Sequence, residues 1–194
     1  MTDTPIPRSP LGQTPSNLPR PTDDGACDHL VGMIVAKIRL LSTGGRIVDL
    51  ATLPTGRTVI YCYPRTGVPG EPLPDGWDGI PGARGCTPQT CGYRDHHAEL
   101  TMLGVHVYGL STQSSDYQAE MAQRLALTFE VLSDDNFSFV EAMRLPTFEA
   151  AGMRLVKRLT LVIRDGRVEK VFYPVFPPER SAEEVLTWLR QNPI

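Results

Sequence analysis

Gly85-Cys86-Thr87-Pro88-Gln89-Thr90-Cys91-Gly92-Tyr93-Arg94-Asp95 follows a Gly/Pro-rich loop and reads as the start of a helix. A thiol at a helix N-terminus meets backbone N–H groups carrying partial positive charge, which favour the thiolate and turn cysteine into a nucleophile. The spacing works against a static disulfide. In an ideal helix residues five apart are offset by about 7.5 Å along the axis and roughly 140° around it, which separates their Cα atoms by about 8.6 Å. A disulfide spans at most about 7 Å between Cα atoms without backbone movement. Pairing Cys86 with Cys91 therefore requires the first helical turn to unwind, which suits a catalytic redox pair better than a staple. Two other readings stay open. The thiols can be small buried hydrophobes. They can also be metal ligands, although this spacing and the lack of a second cysteine pair match structural zinc poorly.

Outward from this stretch, Thr58-Val59-Ile60-Tyr61-Cys62-Tyr63 is β-branched and aromatic and ends at Pro64, as a buried central strand does. Residues 34–41 and 47–50, joined by Ser42-Thr43-Gly44-Gly45, read as a β-hairpin. Between Thr66 and Gly85 lies a long Gly/Pro-rich loop containing Trp77, either a lid or a surface excursion. A helix is expected over 87–103, stopped by Gly104, then a strand over 105–110, a helix over 115–127 and a short strand over 129–132. Asp134-Asp135-Asn136 can cap a helix reaching about Arg144. Asp165-Gly166 joins strands 157–164 and 167–175, and Ser181 with Glu184 forms a capping box for a helix over 182–190. This order implies an α/β domain, a mixed central sheet flanked by helices, with an N-terminal β-hairpin. Residues 1–26, dense in Pro, Ser and Thr, read as a flexible tail before a single domain over 27–194.

At 194 residues, 41% hydrophobic and 21% charged, the chain is long enough for one substantial core. A net charge of −3 leaves no basic excess for a nucleic acid or an anionic membrane, and no apolar run is long enough to span a bilayer. Four cysteines are too sparse for a secreted disulfide scaffold and no signal segment opens the chain, so the cytoplasm is the expected compartment. Cys62 reads as a core hydrophobe, and Cys27 as an exposed thiol or a bystander at the end of the tail. His96 and His97 are adjacent on a helix, so at most one faces the core. No cofactor and no metal site is expected.

Tyr63-Pro64-Arg65, then Gly85-Cys86-Thr87 through Cys91 and Arg94-Asp95, resemble the active-site segment of peroxiredoxins of the bacterioferritin-comigratory, or Q, type. Residues 104–112, Leu132-Ser133-Asp134, the run from Arg158 to Ile163, and Asp165-Gly166 follow in that family's order, so the resemblance covers roughly residues 32–189. It implies a thioredoxin-like fold and thiol-dependent reduction of hydrogen peroxide and organic hydroperoxides. Cys86 is then the peroxidatic nucleophile, whose thiolate attacks the terminal peroxide oxygen and becomes a sulfenic acid. Cys91 is the resolving cysteine that forms an intramolecular disulfide with it, and Arg158 holds the peroxide and stabilises the thiolate. Thioredoxin or a similar dithiol would recycle the pair, and a monomer is expected over a dimer.

The chain departs from the family where a proline seven residues and a threonine three residues before the nucleophile are usual. Gly79 and Ala83 stand there, while Pro64 and Thr66 lie beyond an insertion of about fifteen residues. The loop from Pro69 to Pro81 is expected to wall the pocket, with Trp77 shielding Cys86. Two other functions compete. A thioredoxin-like disulfide oxidoreductase is suggested by Pro146-Thr147-Phe148, but Glu149-Ala150-Ala151-Gly152 then reads as non-strand and the cysteines are not spaced C-x-x-C. A peroxide-sensing redox protein would oxidise cleanly but turn over slowly.

Overall fold

In the computed structural model, which describes residues 17–194, the aromatic run before Pro64 forms β3 (Arg57–Cys62), buried at every position. It lies between β4 (Val105–Ser111), parallel to it, and β8 (Leu159–Arg164), antiparallel to it. Side chains alternate across a strand, so β3 feeds two cores. Ile60 and Cys62 join one, and Val59 and Tyr61 join the other together with Cys86, Cys91 and Tyr93.

The remaining strands of the main sheet are β1 (Arg39–Ser42), β2 (Ile47–Asp49), β5 (Val131–Ser133) and β9 (Arg167–Phe172), in the order β2-β1-β5-β4-β3-β8-β9. The helices are α1 (Cys86–Asp95), α2 (His97–Met102), α3 (Ser115–Arg124), α4 (Ser138–Ala142) and α5 (Ser181–Gln191). Side chains of α1, α2, α3 and α5 cover one face, while α4 and residues 27–35 cover the other. This is the mixed sheet flanked by helices that the element order implies.

Several local expectations need correction. The long helix after Cys86 is two helices broken at His96, whose φ and ψ of −97° and 5° leave the helical basin. Gly92, Asp95, His96 and His97 are weak helix formers, so the break has a local cause. The N-terminal hairpin is shorter than expected, with Ile34 contributing only a bridge to Arg167. Pro146 is followed by a strand after all: β6 (Thr147–Ala150) pairs with β7 (Met153–Val156). Ala151 and Gly152 turn the chain at φ 49° and 73°, a primed turn that glutamate and alanine on the strand conceal from composition. The capping box at Ser181 does not form, because that hydroxyl faces Tyr93 and Thr160 and the cap position is Arg180. Asp134 does serve as a cap. Its carboxylate accepts from the backbone N–H of Phe139 and Val140 at 2.9 and 2.8 Å, although the helix starts only at Ser138.

The tail assigned to residues 1–26 lies outside the described residues up to residue 16. Within residues 17–26, the Asp24 carboxylate accepts from Lys157 Nζ at 2.7 Å and from the Tyr173 hydroxyl at 2.8 Å. Cys27, expected to be exposed or a bystander, is buried in the core, which pushes its thiol up to about 12 with help from Asp24 and Asp23.

Candidate active site

Gly85 turns the chain at φ 101°, a left-handed conformation that glycine adopts without a Cβ penalty, and Cys86 follows as the first residue of α1. Arg158 immediately precedes β8, the strand antiparallel to β3, and its side chain reaches across to the start of α1. Its Nη2 donates to Cys86 Sγ at 3.2 Å, and to the carbonyls of Gly82, Ala83 and Arg84 at 3.2, 3.1 and 3.1 Å. The structure thus brings together Cys86 and Arg158, residues 72 apart in the chain. Both are almost wholly buried, at 4% and 3% exposure, where a fixed cation and a helix N-terminus act on the sulfur with little screening. The Cys86 thiol faces the Ala83 carbonyl at 3.6 Å.

Cys91, one helical turn and a half further on, is free and buried in the same cluster. Burial pushes its thiol above the ordinary value, with Arg94 pulling the other way. Since both cysteines lie on one wound helix, they cannot pair as α1 stands.

Gln89 carries a role that the sequence reading missed. It is fully buried, accepts a hydrogen bond from Arg158 Nη1, and donates to Ser181 Oγ at 3.4 Å. As residue i+3 it shares a helix face with Cys86, but the partners it meets there are set by the fold. The same network runs on through Tyr93, whose hydroxyl lies 3.1 Å from Ser181 Oγ and 3.2 Å from Thr160 Oγ1. The Tyr93 ring stacks on Tyr61 at 4.2 Å with 8° between planes. α1 is therefore docked by a polar chain to α5 and by aromatic stacking to β3.

Thr66 is buried, but its hydroxyl donates to Gln113 Oε1 at 3.3 Å and its carbonyl accepts from Gln113 and Tyr117. Trp77 is buried against Phe148 in a cluster with Ala83 and Leu155, so it braces the loop before Cys86 on the β6–β7 hairpin rather than covering the sulfur. Ile80 and Pro81 from the same loop line a cavity beside Arg158. His96 is engaged with Glu99 and His97 with Thr128. Cys62 lies in the core on the other face of β3.

A family model described as Redoxin matches residues 30–186. Peroxiredoxin Bcp of Escherichia coli strain K12 is 29% identical over 165 residues, 83% of this chain and 96% of that one. Peroxiredoxin Q, chloroplastic, of Sedum lineare is 27% identical over 146 residues, 75% of this chain and 70% of that one. Among solved structures, peroxidoxin BcpB of Mycobacterium tuberculosis superposes with a TM-score of 0.68 at 26% identity, covering 84% of this chain and 97% of that one. The bacterioferritin comigratory protein of Xanthomonas campestris, studied for alkyl peroxide reduction, superposes with a TM-score of 0.65 at 18% identity, covering 92% and 100%. The sheet and its helices are thus a thioredoxin-like fold.

Proposed function

The chain belongs to the Redoxin family, and from that premise we propose that it is a thiol peroxidase whose cycle runs through Cys86 and Cys91, with Arg158 holding the peroxide. The observation that carries the reading is the Arg158 guanidinium 3.2 Å from Cys86 Sγ at a helix N-terminus.

In this cycle the Cys86 thiolate attacks the terminal oxygen of the peroxide. The O–O bond breaks, the sulfur becomes a sulfenic acid, and the departing alkoxide or hydroxide takes a proton. Arg158 stabilises the charge that passes from sulfur to oxygen. The first turns of α1 then unwind, Gln89 leaves Arg158, and Cys91 comes free of its cluster. Its thiol condenses with the sulfenic acid, forming the disulfide and water. A thioredoxin-type dithiol reduces the disulfide and restores both thiols.

The protein works on this reading as a cytoplasmic monomer, its catalytic domain starting near residue 27 with residues 21–24 packed against it. Support comes from its four free, buried cysteines and the modest negative charge. No helix among the described residues is long and apolar enough to cross a membrane.

The test is peroxide consumption with thioredoxin and its reductase. Wild type is expected to turn over repeatedly and Cys86→Ser not at all. Clean oxidation of wild type without sustained turnover would favour a sensor, and turnover by Cys86→Ser would end the reading.

A further inference from the structure

Beside Arg158 lies a cavity of about 300 Å³, at the small end of ligand sites. Its walls are largely apolar: Pro21, Ile80, Pro81, Phe148, Pro174 and Val175. Arg158 and Gly82 also line it. The guanidinium that touches Cys86 Sγ at 3.2 Å also holds the Gly82 carbonyl at 3.2 Å. Arg158 thus borders the cavity and also bonds the sulfur.

We propose that this cavity is the subsite for the organic group of a compact, uncharged hydroperoxide, an inference that rests on Cys86 being the peroxidatic cysteine. The charge balance selects against an anionic tail. The titratable groups lining the cavity are Asp24, Lys157, Arg158 and Tyr173. Lys157 and Tyr173 both bond to the Asp24 carboxylate, at 2.7 and 2.8 Å. Arg158 is occupied by three carbonyls, Gln89 and the sulfur. A carboxylate-bearing tail thus finds no free cation here and would meet Asp24, whereas a neutral aryl or branched alkyl group buries apolar surface against proline, isoleucine and phenylalanine.

Pro21, Thr22 and Asp24 precede the Redoxin match, which begins at residue 30, and Ile80, Pro81 and Gly82 belong to the inserted loop. Chemistry at the site is unchanged by the organic group. Thiolate attack on the terminal oxygen breaks the O–O bond, and the alkoxide leaves from the cavity and takes a proton from water, giving the alcohol.

The experiment has a kinetic arm and a binding arm. The ratio of kcat/KM for cumene hydroperoxide to that for hydrogen peroxide is measured in wild type, Ile80→Trp and Thr22→Trp, the last at an exposed rim position that folding tolerates. Each indole is expected to lower the ratio about tenfold, the low end of what an apolar pocket discriminates. Linoleic acid hydroperoxide is expected to be a poorer substrate than cumene hydroperoxide in wild type. Separately, 2-phenylpropan-2-ol is titrated into Cys86→Ser by NMR, where saturable shifts are expected at Ile80, Phe148 and Val175. An unchanged ratio in both tryptophan variants, a preference for the anionic hydroperoxide, or the absence of saturable shifts at these residues would each overturn the proposal. The binding arm needs no turnover, so a failure of the peroxidatic reading, seen as activity in Cys86→Ser, is told apart from a failure of the cavity.

Discussion

At the scale of single residues catalysis turns on how Arg158 distributes its donors. One planar guanidinium serves the sulfur, three loop carbonyls and Gln89. Lysine offers a point charge with three donors and cannot reproduce that fork. Arg158→Lys is therefore expected to lower kcat/KM for hydrogen peroxide by about 10²-fold or more, as loss of an oxyanion donor does. Thr66→Val is expected to leave it unchanged, because the Thr66 hydroxyl is committed to Gln113. Stopped-flow peroxide reduction compares the two, and a large loss in Thr66→Val would return that hydroxyl to the chemistry. Cys86 was legible in the sequence because a nucleophile at a helix start carries recognisable chemistry in one residue, and Arg158 only through its place in the family pattern. Gln89 was not, since an amide acquires its role only from what the fold sets opposite it. Trp77 was misread for the same reason: the β6–β7 hairpin that receives it could not be seen in an Ala/Glu-rich segment.

Among the elements, α1 has to be stable enough to present Cys86 and labile enough to release Cys91. Gly92 marks how closely it is docked. A Cβ built there would lie 2.9 Å from the Glu179 carbonyl oxygen, a backbone atom with little room to give. Gly92→Ala is expected to destabilise the protein by about 1–3 kcal/mol, the usual cost of overpacking, measured by urea unfolding. Because the strain acts on docked α1 and vanishes once the helix unwinds, the same variant should form the Cys86–Cys91 disulfide faster after oxidation. Unaltered stability and unaltered disulfide kinetics would contradict the docking described here. The central strand, the helix at Cys86 and the Asp165-Gly166 hairpin could be read from periodicity and turn chemistry. The idle capping box could not, as it follows from partners distant in sequence that draw Ser181 away, Tyr93 and Thr160, whereas the break at His96 had a local signal in the weak helix formers around it.

For the whole molecule, the buried thiols set a pH dependence whose sign follows from burial. Cys27 is pushed up to about 12 and Cys91 is raised as well, both chiefly by desolvation. Below the unfolded thiol value of about 8.5 both states keep the proton and pH has no effect through these groups. Above it the unfolded chain ionises while the folded chain does not, so stability falls as pH rises toward the folded values. Urea midpoints should therefore decline between neutral pH and about pH 10.5, and less steeply in Cys27→Ala; midpoints independent of pH would refute the burial argument. At the acid end Asp24, lowered to about 2 by Lys157 and Tyr173, gives a contribution present above the ordinary carboxylate range and lost as pH falls through about 2. The central claim, a peroxide cycle through Cys86 and Cys91, is tested most directly by peptide mass mapping after one equivalent of hydrogen peroxide with free thiols blocked. A Cys86–Cys91 disulfide is expected in wild type and a trapped Cys86 sulfenic acid in Cys91→Ser. A Cys86 that stays reduced in both would contradict it.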